Sequence, residues 1–186
     1  MDDSYIIGKM NSFMHILSDH LCSWLYRKLP ALSDDWWDEL VYGNLSYLQQ
    51  QQITNNNILE LRELDLAALL RVFYRNWYII TSKYYIKDEV RSSVKEMMEV
   101  RNEWAHITSS KITKDKVEND VNLIIDLIHI FDGKLKDTRE LSRFLIDIED
   151  DNELKQYEEK DESSDIDNIN VSDKSIKNNS IVSLVS

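Results

Sequence analysis

An all-α fold is the class this sequence predicts, on three observations. Only three glycines and one proline occur in 186 residues, too few turn-formers for a fold of many short strands. Apolar residues recur at the three-and-four spacing of amphipathic helices over most of the first 149 residues. Gly8, Gly43 and Gly133 are too scattered to build a glycine-rich phosphate loop at a strand-to-helix turn, which sets aside the common nucleotide-binding sheets.

The first helix is predicted from Tyr5 to Leu29. Its stripe is Ile6, Met10, Phe13, Met14, Leu17, Leu21, Trp24 and Leu25, and Pro30 stops it. Ser33-Asp34-Asp35 is an N-cap run for a second helix holding Trp36, Trp37, Leu40 and Val41. The polar stretch Gln49 to Asn57 has no apolar periodicity and reads as a loop. A third helix starts near Asp65 and carries Leu66, Leu69, Leu70, Phe73, Trp77 and Ile80 on one side. The fourth, from about Asp88 to His106, carries Val90, Val94, Met97, Met98 and Trp104. Thr113 is the expected cap of a fifth, with Val117, Val121, Ile124, Ile128 and Phe131 inward and Gly133 as its left-handed C-cap. A short sixth follows to about Glu149, which makes a bundle of five or six helices in a folded domain of residues 1–149.

Residues 150–186 are expected to be a disordered acidic tail, with ten acidic against four basic side chains and no helical stripe. The formal charge of −12 excludes a protein that coats nucleic acid by bulk electrostatics, although half of that excess sits in the tail and a local basic site remains open. The single cysteine, Cys22, cannot form an internal disulfide. With an acidic start at Asp2 and Asp3, where a signal peptide is basic, the expected compartment is the cytoplasm, with no membrane span. Four scattered histidines and one cysteine give no ligand set, so no metal and no cofactor are expected.

Chemistry concentrates in Glu96-Met97-Met98-Glu99-Val100-Arg101-Asn102-Glu103-Trp104-Ala105-His106. Arg101 and His106 are separated by four residues, a spacing that carries little weight alone. Upstream lie Asp34-Asp35-Trp36-Trp37, then Asp65-Leu66-Ala67-Ala68-Leu69-Leu70-Arg71-Val72 and Arg75-Asn76-Trp77. In this order and spacing, over about Pro30 to His106, the chain resembles the Swt-type HEPN domain, whose branch carries a double Trp, a DLAALLRV-NW helix and an RNxWAH helix end.

The resemblance implies a HEPN-like helical bundle. It also implies, from the commonest activity of such domains, a metal-independent endoribonuclease whose Arg-polar-x3-His residues, matched by Arg101, Asn102 and His106, meet at a homodimer interface. A toxin or anti-phage defence role comes with it, as does a neutralising antitoxin or an ATPase or nuclease partner protein. Other HEPN domains are catalytically inactive and dimerise or bind RNA for a larger partner, and that alternative stands beside the first. Toxins modified by a nucleotidyltransferase antitoxin carry Tyr two residues after the His, where this chain has Thr108.

Helix geometry adds its own constraint. At 100° per residue Arg101 falls within the apolar stripe and His106 about 140° away, so one protomer cannot easily aim both at one phosphate, whereas two copies about a twofold axis can. Asn102, four residues before His106, is placed to bond its ring. Structural roles compete: Arg101 pairing with a carboxylate such as Asp65, His106 serving the helix dipole, and the tryptophans filling the core. Arg71, Arg75 and Tyr78 lie opposite the leucine stripe of the third helix, either as a solvated face or as a surface for single-stranded RNA.

Overall fold

The computed structural model describes residues 2–108 and 111–149, and among them every regular element is helical. The tail expected at 150–186 lies outside the described residues. The long helix α1 spans Asp3–Lys28 and buries the whole expected stripe from Ile6 to Leu25. Pro30 ends it within a 3-10 turn, Leu29–Ala31, because proline has no N–H to continue the ladder.

The second helix is not a regular one. Trp37–Val41 is a wide π-type turn and Tyr42–Asn44 a 3-10 turn. Side-chain amides claim the carbonyls there. Asn44 Nδ2 donates to Glu39 O and Leu40 O at 3.0 and 3.2 Å, and Asn76 Nδ2 donates to Leu40 O at 2.6 Å. Arg71 Nε takes Asn44 O at 2.9 Å. Leu40 and Val41 are buried, while Trp36 and Trp37 are half-buried.

The polar stretch expected as a loop is instead a helix, α2, over Tyr47–Asn56. A reciprocal capping box starts it, with Gln49 N donating to Ser46 Oγ and Ser46 N to Gln49 Oε1. Asn57 ends it in the left-handed region at φ 51°. Ile53 is its one buried residue, which is why no stripe announces it.

Helix α3, Leu66–Arg75, starts where expected, and Asp65 caps it, its carboxylate accepting from Ala68 N at 2.9 Å. The helix does not run on to Ile80 unbroken. Asn76, at φ −89° and ψ 9°, interrupts it, and α4 follows over Trp77–Lys83. The Asn76 amide is buried and donates to both Leu40 O and Val72 O, so a tertiary carbonyl competes with helix continuation. The apolar side persists across the break, with Phe73, Trp77 and Ile80 all buried.

Helix α5 covers Glu89–Ala105 and α6 Lys114–Ile130, the latter capped by Thr113 Oγ1 accepting from Lys116 N. The left-handed residue after α6 is Asp132, at φ 66°, rather than Gly133. Gly133 is needed for close approach: its N donates to Ile128 O at 2.8 Å, and a Cβ there would run into Ile128 Cγ2 and lie 2.6 Å from Ile128 O. A last helix, α7, occupies 139–149. The chain up to Leu145 forms one unit, and a second begins at Ile146, of which the described residues 146–149 carry on α7. The bundle therefore has seven α-helices among the described residues, against the five or six expected.

Within the first unit α1 is central, packing on α3, α5 and α6. Trp24 meets Phe73 and Lys28 meets Tyr84 further along the chain, so α1 and α3–α4 run parallel. Arg101 reaches Asp65 at the start of α3 and Arg91 reaches Tyr74 and Tyr78 at its far end, so α5 runs antiparallel to it. The aromatic centre is Phe73, with ring centroids 5.5 Å from Trp24, 5.2 Å from Phe131 and 5.9 Å from Trp77. No helix among the described residues is long and apolar enough to cross a membrane.

Candidate functional site

The last turn of α5 is held from behind by a polar network. Trp104 Nε1 donates 2.7 Å to Asp120 Oδ2 on α6, and the same oxygen receives Lys116 Nζ at 3.0 Å. Lys116 also reaches Glu103 Oε2 at 2.6 Å. Asp120 is buried and both its neighbours carry donors, so its charge is satisfied rather than orphaned. This fixes the rotation of α5 at the point where Arg101, Asn102 and His106 emerge.

The network titrates in a definite direction. The hydrogen bond and charge of Lys116 hold the Glu103 carboxyl below its ordinary value. Burial pulls the Lys116 ammonium down, but bonds and charges from Glu103 and Asp120 outweigh it and leave it above its ordinary value. Glu103 therefore contributes stability that is present above the ordinary carboxylate range and lost as pH falls through its folded value. Lys116 contributes stability present below the ordinary ammonium value and lost as pH rises through its raised one. Lys116→Met is expected to flatten both limbs, as read from denaturation midpoints across pH; limbs as steep as wild type would show that the pairs contribute nothing.

Arg101 is about one-third exposed, and its Nη2 donates 2.9 Å to Asp65 Oδ2. The two Asp65 oxygens thus divide between capping α3 and holding this guanidinium. Asn102 turns its Oδ1 to Arg101 Nη1, at 3.3 Å, rather than to the His106 ring. His106 is the C-cap of α5, exposed, its backbone N bonded to Glu103 O at 3.0 Å. Among the described residues its ring has no hydrogen bond or ion pair, so one protomer joins Arg101 to Asn102 but leaves His106 apart.

Arg101 also lines a groove of about 900 Å³ between α1 and residues 60–66. His15 and Cys22 share it. Burial pushes the Cys22 thiol up, so it is the protonated thiol at neutral pH. Sequence reasoning did not connect His15 with Arg101: they stand 86 residues apart, and only the packing of α1 against the start of α3 brings them to one groove.

Arg71, Arg75 and Tyr78 do not join that groove. Arg71 is half-buried and its Nε is spent on the Asn44 carbonyl. Arg75 and Tyr78 are exposed at the far end of α3 and on α4, where Tyr78 OH accepts from Arg91 Nη1 at 3.1 Å. Arg91, which no motif marks, lies 4.9 Å from the ring centroids of both Tyr74 and Tyr78. Ten residues of helix, about 15 Å, separate Arg75 from the Asp65–Arg101 pair. No group of three or more His, Cys, Asp or Glu side chains among the described residues is placed to hold a metal ion.

No curated protein and no solved structure matches the chain significantly. A family model does, described as Swt1-like HEPN, over residues 12–132, which takes in most of α1 and everything through α6. With more than half of its length matched, and with the helical bundle and the RNxWAH end of α5 in place, the chain belongs to the Swt1-like HEPN family.

Proposed function

We propose that this protein is a metal-independent endoribonuclease that works as a homodimer in the cytoplasm, in a toxin or anti-phage defence role. HEPN domains are generally RNase or nucleotide-binding modules that commonly dimerise and bind RNA. The observation that carries the reading is the end of α5, where a guanidinium and an unengaged imidazole reach solvent from a helix whose rotation is fixed by Trp104 and Asp120.

About 140° apart on an ideal helix, the two groups are not readily aimed at a common point by one protomer. A second copy, packed about a twofold axis along this end of α5, supplies the missing pairing. His106 of one copy takes the proton of a ribose 2′-OH, whose oxygen attacks the phosphorus. His106 of the other copy protonates the departing 5′-oxygen as the P–O5′ bond breaks, leaving a 2′,3′-cyclic phosphate. Arg101 binds the non-bridging oxygens and offsets the charge that grows on them, after releasing Asp65. Asn102 holds the guanidinium in place. A neutralising antitoxin, or an ATPase or nuclease partner, would control the activity.

A second reading has one observation in its favour. The Arg101 guanidinium is already paired with Asp65 and Asn102, as it would be in a catalytically inactive module that dimerises or binds RNA for a larger partner. The test is an RNA cleavage assay in EDTA with product ends identified. A 2′,3′-cyclic phosphate from wild type supports the nuclease, while a stable dimer that binds RNA and leaves it whole supports the module.

A further inference from the structure

The groove beside Arg101 adjoins the proposed site, and its chemistry differs along its length. Four acidic side chains line it, and three are committed: Glu60 to Arg62 at 2.6 Å, Glu63 to the backbone N–H groups of Leu59 and Glu60, and Asp65 to Ala68 N and Arg101, while Asp19 on α1 has no hydrogen bond or ion pair among the described residues. The α1 wall is different. His15, Ser18, Cys22 and Tyr26 fall at three-and-four spacing on one face, and among the described residues none of their side chains has a hydrogen-bond partner. Unpartnered donors and acceptors of this kind, with the Asp19 carboxylate beside them, suit base edges rather than phosphates.

The far end is aromatic. Tyr26 is 57% exposed, and Trp36 meets its ring at 6.2 Å and 82°, with Trp37 behind at 5.9 Å from Trp36. Because α1 and α3 run parallel with Trp24 level with Phe73, Asp65 is level with about residue 16 of α1. Tyr26 therefore stands ten residues, about 15 Å, along the groove from Arg101, which is room for a few nucleotides of one strand.

We infer that this groove is the substrate path: a single RNA strand, with its phosphate on Arg101, lies along the polar face of α1 and stacks a base on Tyr26. The inference rests on the nuclease reading and adds where the strand next to the reacting phosphate goes. Stacking on an exposed aromatic ring tolerates any base, so Tyr26 supplies affinity rather than sequence choice.

Cys22 lies inside the path and is the only cysteine, so it reports on occupancy without any cleavage. The experiment measures the maleimide alkylation rate of Cys22 in the full chain, with and without a 2′-O-methyl single strand of mixed sequence, which cannot be cut. Binding is followed in parallel by fluorescence anisotropy. Protection of Cys22 at saturating strand is expected. Tyr26→Ala is expected to weaken binding about tenfold and Tyr26→Phe to leave it unchanged. A strand that binds while Cys22 reacts at its free rate overturns the groove as the path and leaves the nuclease reading standing. Cys22 already protected without RNA, and released on dilution to monomer, overturns it in favour of the dimer contact. No binding of any strand overturns both readings together.

Discussion

His106→Ala is expected to lower RNA cleavage by roughly 10²–10⁴-fold, the usual worth of a positioned acid–base group, while leaving the protein as stable as wild type. The second half of that expectation follows from the helix end itself. The His106 ring is exposed and bonded to nothing among the described residues, so its removal strands no partner. Arg101→Ala is expected to match or exceed the loss, because the guanidinium meets the charge that develops at phosphorus. Its cost in stability is about 0–1 kcal/mol, since the Asp65 partner is 58% exposed and such pairs are screened by solvent. Single-turnover rates beside thermal midpoints check both. A variant that unfolds as it loses activity would identify a structural residue, and one that cuts at the wild-type rate would remove that residue from the chemistry.

Phe73→Ala is expected to cost about 3–5 kcal/mol, the range for emptying a fully buried aromatic site. Phe73 is completely buried and is the ring on which three helices converge: Trp24 from α1, Trp77 from α4 and Phe131 at the end of α6. Those neighbours belong to separate elements, so the space cannot close by one small shift. For a domain of this size the loss is a large part of a total stability of about 5–15 kcal/mol. Urea denaturation provides the measurement. A loss below about 1 kcal/mol would mean that the surrounding rings collapse into the cavity.

The elements legible in the sequence are those whose stability comes from a continuous apolar face. Every stripe residue of α1 is buried, and so are Val90, Val94, Met97 and Trp104 of α5. What escaped was decided by single polar groups acting across the fold. The Asn76 amide breaks α3 because the Leu40 carbonyl, 36 residues away, is there to receive it. Helix α2 escaped because its signal is a cap, Ser46 with Gln49, rather than a period. At the end of α6 the αL position fell to Asp132, one residue before the glycine that seemed made for it.

The candidate site divides in the same way. The resemblance, carried by three linked motifs rather than by spacing, pointed to Arg101, Asn102 and His106, and the pairing of Arg101 with Asp65 was one of the readings open beforehand. The groove was not legible, since His15 and Cys22 reach it only through the packing of α1. Nor was the spending of Arg71 on a backbone carbonyl, which depends on the irregular turn at Tyr42–Asn44.

Helix α2 buries one side chain, Ile53, and adds one hydrogen bond to the neighbouring turn, Gln50 Nε2 to Tyr42 O at 2.9 Å, with its remaining residues half-buried or exposed. A segment with so little buried surface opens without the rest of the bundle. Its amide protons are expected to exchange with deuterium far faster than those of α1 or α6, by local fluctuation rather than global unfolding. A limited protease should then nick between Tyr47 and Asn57 and leave two fragments associated through the core. Exchange in α2 as slow as in α1 would place it within the cooperative unit.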